Sequence, residues 1–107
     1  MKNHKEVEEF VLSMPNIKLD YPFDEETAVY KADNDKMFAL ISENSDPLKI
    51  SLKGDPKLNK LLREKYETVL PGWHLNKKHW NTIILTGQLS DDEIKDLIIH
   101  SYNLVIN

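Results

Sequence analysis

The first hydrophobic pattern along the chain is helical. Apolar residues stand at i, i+3, i+4 and i+7 of the segment Asn3 to Met14, which is the spacing of an amphipathic helix. Asn3 and Glu6 are placed as in a capping box at its start, and Pro15 ends it. The apolar positions of this predicted helix are Val7, Phe10, Val11 and Met14.

The next stretch, Asn16 to Glu26, is predicted to be an irregular connection. It is polar and is interrupted by Pro22, so no regular period runs through it. We expect its two large aromatic residues, Tyr21 and Phe23, to pack against the core.

Three short strands are predicted after this connection: Thr27 to Ala32, Lys36 to Ser42, and Leu48 to Lys53. The first two flank Asp33-Asn34-Asp35, whose residues tolerate turn conformations, so a hairpin of these two strands is predicted. The third strand alternates most clearly, which predicts one core face and one solvated face carrying Lys49 and Lys53.

The second half of the chain contains two further helices and two further strands. Gly54-Asp55-Pro56 reads as a strand end, an N-cap and a first helical position, and Ser90 with Glu93 forms a capping box before the last helix. Short strands are predicted at Thr68 to Leu70, broken at Pro71-Gly72, and at Thr82 to Thr86. The buried stripes of the two helices are Leu58, Leu61, Leu62 and Tyr66, then Ile94, Leu97, Ile98, Tyr102 and Val105.

This order of elements, α-β(3)-α-β(2)-α, indicates an α+β fold. Helices packed on one face of a five-strand, mainly antiparallel sheet would bury all the apolar stripes. The length of 107 residues fits a single domain spanning residues 1–107. The chain has no cysteine and no long apolar run, so we expect a cytoplasmic protein that is neither secreted nor inserted in a membrane.

The distribution of charge along the chain suggests a binding function, because the formal net charge of −4 conceals a basic central segment. Residues 1–48 and 80–107 are acidic, whereas residues 49–79 carry a net charge of +5. A local basic face could attract nucleic acid despite the acidic ends. The alternative is that these lysines only solvate the outer faces of a helix and a strand.

The segment from residue 70 to 82 combines aromatic, basic and amide side chains between predicted elements, which is typical of a functional loop. Lysine can neutralise phosphate, asparagine can bond a phosphate or a base edge, and aromatic rings can stack. Trp80 is predicted to be a buried structural residue, and Trp73 could be either buried or exposed. The candidate nucleic-acid-binding residues are His74, Asn76, Lys77, Lys78, His79 and Asn81, with Lys49 and Lys53 on the neighbouring strand.

The sequence gives little support for a metal site or for catalysis. His74 and His79 are five residues apart, which does not place two ligands on one helical face, and no cysteine completes a site. His100 has no adjacent base or nucleophile, and Ser101-Tyr102 is typical of packing and hydrogen bonding. We therefore expect no enzyme activity, no metal and no cofactor.

Three motifs give the chain a family resemblance: Leu70 to Asn81 (LPGWHLNKKHWN), Lys36 to Ala39 (KMFA), and the closing Ser101-Tyr102 with Leu104-Val105. With these motifs the chain resembles the MmcQ/YjbR family of small bacterial proteins over essentially its whole length. Family members often have glycine at positions 16, 24 and 35, where this chain has Asn16, Asp24 and Asp35. Asparagine and aspartate tolerate left-handed turns, so the fold is expected to persist.

The resemblance implies a two-layer sandwich with an antiparallel sheet, similar to type III secretion chaperones. The family is described as a "double wing" and is linked to DNA binding. In the matched loop, the resemblance assigns no individual role to any residue; Pro71, Gly72, Trp80 and Tyr102 are expected to be structural.

Two functions therefore lead at the level of sequence, and an enzyme or small-ligand role stays open behind them. One is a DNA-binding or more general nucleic-acid-binding module that uses the loop and the basic face. The other is a chaperone-like module that holds a protein partner or a second copy of itself, and we expect a monomer or a weak dimer. Salt dependence separates the two, because phosphate contacts weaken steeply with salt.

Overall fold

Three helices and six strands make up the fold. A computed structural model describes residues 3–72 and 75–107, so the predictions for Trp73 and His74 lie outside the described residues. In chain order the elements are α1 (His4–Leu12), β1 (Lys18–Asp20), β2 (Thr27–Lys31), β3 (Met37–Ser42), β4 (Lys49–Lys53), α2 (Pro56–Lys65), β5 (Val69–Pro71), β6 (Trp80–Ile84) and α3 (Asp91–Ile106).

The strands form one antiparallel sheet with the order β1-β2-β3-β4-β6-β5. The α+β class and the antiparallel sheet are confirmed, but the sheet has six strands where five are predicted. The additional strand is β1, and all three of its residues are exposed. An edge strand with no buried side chain leaves no hydrophobic alternation in the sequence, so the polar stretch is mistaken for a connection.

All three helices pack on the same face of the sheet, and this face holds the main core. Its strand positions alternate with solvent-facing positions, because successive side chains of a strand point to opposite faces. The prediction that Lys49 and Lys53 point away from the helices is confirmed, since Ile50 and Leu52 between them are the buried positions of β4. The largest fully buried side chains of the core include Val7, Val11, Tyr30, Phe38, Ile41, Ile50, Ile83 and Ile98.

A β-bulge in β3 lies where α3 contacts the centre of the sheet. The pairing moves from Tyr30 with Ala39 to Lys31 with Met37, which leaves Phe38 as the extra residue of a β-bulge. The Phe38 ring meets the ring of Tyr102 edge to face, with centroids 5.3 Å apart. The buried Ser101 hydroxyl donates to the Phe38 carbonyl and accepts from the Lys53 N–H at 2.9 Å.

The face of the sheet opposite the helices, called here the open face, has a small apolar cluster of its own. Trp80 is 7% exposed and packs there with Val29 and Leu40. Partly buried Met37 and Leu75 complete the cluster. The burial predicted for Trp80 is therefore correct, although β6 begins at Trp80 and not at Thr82 as predicted, because the backbone of residues 80 and 81 pairs with the end of β4.

The prediction that Tyr21 and Phe23 pack against the core is wrong. Tyr21 is 41% exposed and donates its hydroxyl proton to Glu43 at 3.0 Å. Phe23 is 61% exposed, because the segment after β1 runs along the rim of the open face and not beneath the helices. Of the three positions where family members often have glycine, two have a left-handed backbone, with φ of 59° at Asn16 and 66° at Asp35. Asp24 does not, and its carboxylate instead accepts from the N–H groups of Glu26 and Thr27.

The burial of Trp80 predicts a large loss of stability on truncation. Trp80→Ala removes an indole ring from the open-face cluster and leaves a cavity, so we expect the free energy of unfolding to fall by about 3 to 5 kcal/mol. Urea unfolding measures this loss. Leu70→Ala, at a position that is 44% exposed on the same face, is the control and should change stability by less than about 1 kcal/mol. A Trp80→Ala variant as stable as the control would contradict the packing described here.

The N-terminus of α3 predicts a pH-dependent contribution from Glu93. Its carboxylate accepts from the Tyr66 hydroxyl at 2.6 Å and from the Ser90 N–H at 3.1 Å. These bonds, led by that of Tyr66, lower the pKa of Glu93 below its ordinary 4.5. A carboxyl with a lowered folded pKa stabilises the fold above its unfolded pKa, and this stabilisation disappears as pH falls through the folded pKa.

Glu93→Gln is therefore expected to be less stable than the natural protein at neutral pH, with a difference that shrinks as pH falls below 4.5. Thermal unfolding followed across this pH range measures the difference. Glu9→Gln, at an exposed position of α1, controls for the loss of one negative charge. A difference that is constant with pH would show that the Glu93 carboxylate does not stabilise the fold through its charge.

Candidate nucleic-acid interface

The loop from residue 75 to 79 is a tight turn organised by one asparagine. The Asn76 side-chain oxygen accepts from the backbone N–H of Lys78 at 2.9 Å and of His79 at 3.3 Å. The Asn76 carbonyl also accepts from the Trp80 N–H at 3.0 Å. The Asn76 amide thus shapes the turn, as asparagine commonly does through bonds to the following backbone.

The same turn is fixed from outside by α2 and by the end of β4. The Arg63 guanidinium donates to the Lys77 carbonyl at 3.1 Å, and the Asn59 side chain donates to the Lys78 carbonyl at 3.3 Å. The Gly54 N–H donates to the His79 carbonyl at 2.8 Å. Three consecutive carbonyls of the loop are therefore held, so the loop keeps a fixed position relative to α2 and β4.

Asn59 and Asn81 form a buried polar contact beneath this loop. The Asn81 side chain donates to the Asn59 backbone carbonyl at 3.2 Å and to its side-chain oxygen at 3.3 Å, while Asn59 donates to the Gly54 carbonyl at 3.1 Å. Asn81 is 3% exposed and lies on the helix-covered side of β6. A base edge or a phosphate outside the protein cannot reach it there, so this placement gives Asn81 a structural position within the fold.

Sequence reasoning missed Asn59. A signal exists, because this residue lies next to Leu58 and close to Leu62 on the apolar side of α2, where a polar side chain needs partners. Position 54 requires glycine, since a Cβ there would lie 2.2 Å from the Asn59 side-chain oxygen. The absence of a side chain at residue 54 lets the amide approach the backbone this closely.

The expected structural residues lie around the start of β6. Pro71 ends β5 and pairs with Asn81, and the Gly72 N–H donates to the Trp80 carbonyl at 2.9 Å. A Cβ at residue 72 would lie 2.7 Å from the Trp80 Cβ, so glycine permits this close approach. Tyr102 donates its hydroxyl proton to the Pro15 carbonyl at 3.1 Å, which joins α3 to the end of α1.

Cations of β4, α2 and the loop lie at one end of the sheet, with Lys53 on the open face and Lys60 and Arg63 on the helix-covered side. Lys53 is the last residue of β4, immediately before the glycine that bonds the loop. On α2, Lys60 and Arg63 are three residues apart and so lie side by side on the helix surface. We call this set the basic surface; its members are Lys53, Lys60, Arg63, Lys77 and Lys78.

The cations of the basic surface form no ion pair among the described residues. Among the described residues, no carboxylate oxygen lies within 4.0 Å of any of its cations. By contrast, two lysines of the acidic half are paired, Lys18 with Asp35 at 2.9 Å and Lys31 with Asp20 at 3.7 Å. Lys77 donates one N–H to the Gly72 carbonyl at 3.3 Å, and an ammonium has three such donors.

Lys49 and His79, two other candidate nucleic-acid-binding residues, are not part of the basic surface. Lys49 shares the open face with Lys53, but the two are four positions apart on β4, or about 13 Å along the strand. Lys49 is therefore away from the loop, although the sequence predicts one shared face. His79 is half-buried in the loop, and its backbone carbonyl, not its ring, makes the described contact with Gly54.

Residues 3–72 and 75–107 contain neither a cluster of metal-ligating side chains nor a helix suited to a membrane. No group of three or more His, Asp or Glu side chains there is placed to hold a metal ion. No helix in these ranges combines the length and the hydropathy that crossing a bilayer requires. His100 makes a local contact, in which its Nε2 accepts from the Asp55 N–H at 3.2 Å.

The buried amide contact predicts the effect of Asn59→Ala. This change removes the donors to Gly54 and Lys78 and one acceptor for Asn81, so buried polar groups lose partners. We expect the free energy of unfolding to fall by about 1 to 3 kcal/mol per group left unpaired. Urea unfolding is the measurement, and Asn103→Ala on the exposed side of α3 is the matched control. Equal stability of the two variants would contradict the structural role of Asn59.

Proteins of similar sequence cover nearly all of the chain. It is 36% identical over 104 residues to the uncharacterized protein YbdF of Escherichia coli O157:H7, which covers 97% of this chain and 84% of YbdF. It is also 41% identical over 73 residues to the uncharacterized protein YjbR of Escherichia coli strain K12, or 68% of this chain and 62% of YjbR.

Solved structures share the same fold. The crystal structure of the Deinococcus radiodurans protein DR2400, a DUF419 domain, superposes with a TM-score of 0.95 at 35% identity and covers 100% of this chain and 80% of that one. A crystal structure from Pseudomonas syringae gives a TM-score of 0.80 at 33% identity, over 95% of this chain and 97% of that one.

The family model described as YjbR matches residues 12–104. Together with the sheet order and the loop described above, these matches show that the chain belongs to the YjbR family.

Proposed function

We propose that this protein is a non-enzymatic module that binds nucleic acid through the basic surface. The observation that carries the proposal is the group of cations at one end of the sheet with no carboxylate within 4.0 Å among the described residues. Cations that protein carboxylates leave unneutralised are the ones that can replace the counterions of a phosphate backbone.

The rigid attachment of the loop supports this proposal. Lys77 and Lys78 extend from a turn whose carbonyls are bonded to Arg63, Asn59 and Gly54. A phosphate backbone is contacted at regular intervals, so cations held at fixed spacing lose little conformational freedom on binding. DNA is accordingly the first ligand to test.

The contacts available on this surface favour phosphate over base recognition. Asn76 uses its side-chain oxygen within the turn, and Asn81 is buried. Lysine side chains contact phosphate groups whatever the neighbouring bases are, so binding is expected to be similar for nucleic acids of different sequence. The net charge of −4 opposes approach over long distances, and we expect modest affinity that requires low salt.

The test is a fluorescence anisotropy titration with labelled single-stranded and double-stranded DNA and RNA at about 50 mM salt, where screening is weak. We expect a dissociation constant in the range of non-specific binding, about 10⁻⁴ to 10⁻⁶ M. The double variant Lys77→Ala, Lys78→Ala should fold normally and bind about tenfold or more weakly. The slope of log K against log salt should decrease in magnitude by about 1.8 for two lost phosphate contacts on duplex DNA.

The double variant Lys5→Ala, Lys36→Ala is the matched control. It removes the same charge from two exposed lysines outside the basic surface, so it separates the local surface from the total charge. Equal weakening by both double variants would contradict the proposed surface. Absence of binding at low salt would favour the other function considered, a protein partner. Leu61 on α2 offers an apolar contact for it, since this residue, predicted in the buried stripe of the helix, is instead 62% exposed.

A further inference from the structure

The open face carries a groove that is separate from the basic surface. It has a volume of about 550 Å³ and crosses the strands from the rim at Phe23 to the edge at Leu70. Its volume is within the range of small-molecule sites, which is roughly 300 to 1,000 Å³. The helices lie on the other side of the sheet, so the groove is a feature of the open face alone.

The strand register explains which side chains form the floor. One cross-strand row joins Thr27, Ser42, Lys49 and Ile84, because these residues are paired in successive ladders. The next row joins Leu40, Ser51, Thr82 and Leu70. In this second row the hydroxyl-bearing Ser51 and Thr82 stand at the centre, with Leu40 on one side and Leu70 on the other.

The groove has one cation that lacks a carboxylate partner. Among the described residues, no carboxylate oxygen lies within 4.0 Å of Lys49, and its neighbour Ser42 makes no side-chain hydrogen bond there. Asp24 also lines the groove, but its carboxylate accepts from the N–H groups of Glu26 and Thr27 at 2.8 and 2.7 Å. These N–H groups occupy the Asp24 oxygens without neutralising their charge, so Lys49 is the charged side chain of the groove that has no hydrogen bond or ion pair among the described residues.

The remaining surface of the groove is apolar. Leu40, Leu75 and Ile84 lie along it, and the exposed side chains of Phe23 and Leu70 form its two ends. A ligand matching these features has one negative charge at the position of Lys49 and an apolar body. Phosphate groups fit less well, because a dianion ordinarily needs several cations or a cradle of backbone N–H groups.

We propose that this groove binds an apolar monocarboxylate, with its carboxylate on the Lys49 ammonium and the Ser42 hydroxyl and its hydrocarbon part along Leu40, Leu70 and Ile84. A linear alkanoate and a flat aromatic acid share this chemistry. The site is independent of the basic surface, since Lys49 is about 13 Å along β4 from Lys53.

Isothermal titration calorimetry with octanoate, 1-naphthoate and 1-octanol tests the proposal. We expect saturable binding of one or both acids, and the preferred acid identifies a linear or a planar ligand. Lys49→Gln should weaken binding of that acid by about tenfold or more, because a charge-assisted hydrogen bond is lost. The affinity for 1-octanol should stay the same, since the alcohol carries no charge.

Two further variants complete the design. Leu70→Glu, at an exposed position of the apolar wall, should weaken both the acid and the alcohol, whereas Lys57→Gln on α2 should weaken neither. Circular dichroism establishes that each variant is folded. The proposal is overturned if neither acid binds saturably at millimolar concentration, or if Lys49→Gln binds the acid as tightly as the natural protein. Binding of DNA by the basic surface is measured separately, so either result stands without the other.

Discussion

The buried side-chain amide of Asn59 is the contact on which the proposed interface depends. It donates to Gly54 at the end of β4 and to Lys78 in the loop, and it accepts from Asn81 in β6. One amide group thus holds α2, two strands and the loop in a single arrangement. Because a buried amide is costly to leave unpaired, these segments are held together even though the loop itself contributes little apolar burial. The exposed lysines of the basic surface take their positions from this buried contact.

Because all three helices pack on one face of the sheet, no helix of residues 3–72 and 75–107 covers the opposite face. A six-stranded sheet covered on one side would expose its opposite side to water, and here that side is only partly shielded by the cluster around Trp80. The uncovered part contains the groove with Lys49, whereas Lys53 belongs to the basic surface at the end of the same strand. One strand, β4, therefore contributes a lysine to each of the two proposed sites.

Much of the fold can be predicted from sequence, because buried elements carry periodic patterns. The alternation in β4 and the capping box of α3 are examples, and both are present in the structure. The exposed edge strand β1 has no such pattern, since ion pairs and backbone bonds hold it. The loop could be identified by its composition. The contact between Asn59 and Asn81 joins residues far apart in the chain, so its only local signal is a polar residue on the apolar side of α2. The separation of Lys49 from the loop likewise depends on strand geometry, which a net charge over a segment does not describe.

We propose that nucleic acid contacts the surface positioned by Asn59. A ¹⁵N–¹H NMR titration of the labelled protein with a short DNA duplex at about 50 mM salt tests it most directly, since weak screening favours phosphate contacts. We expect saturable changes in the chemical shifts of the backbone amides of Lys53, Lys60, Arg63, Lys77 and Lys78. We also expect that amides of β1 and β2 stay unchanged. Shifts confined to these acidic strands, or no shifts at all, would contradict the proposal.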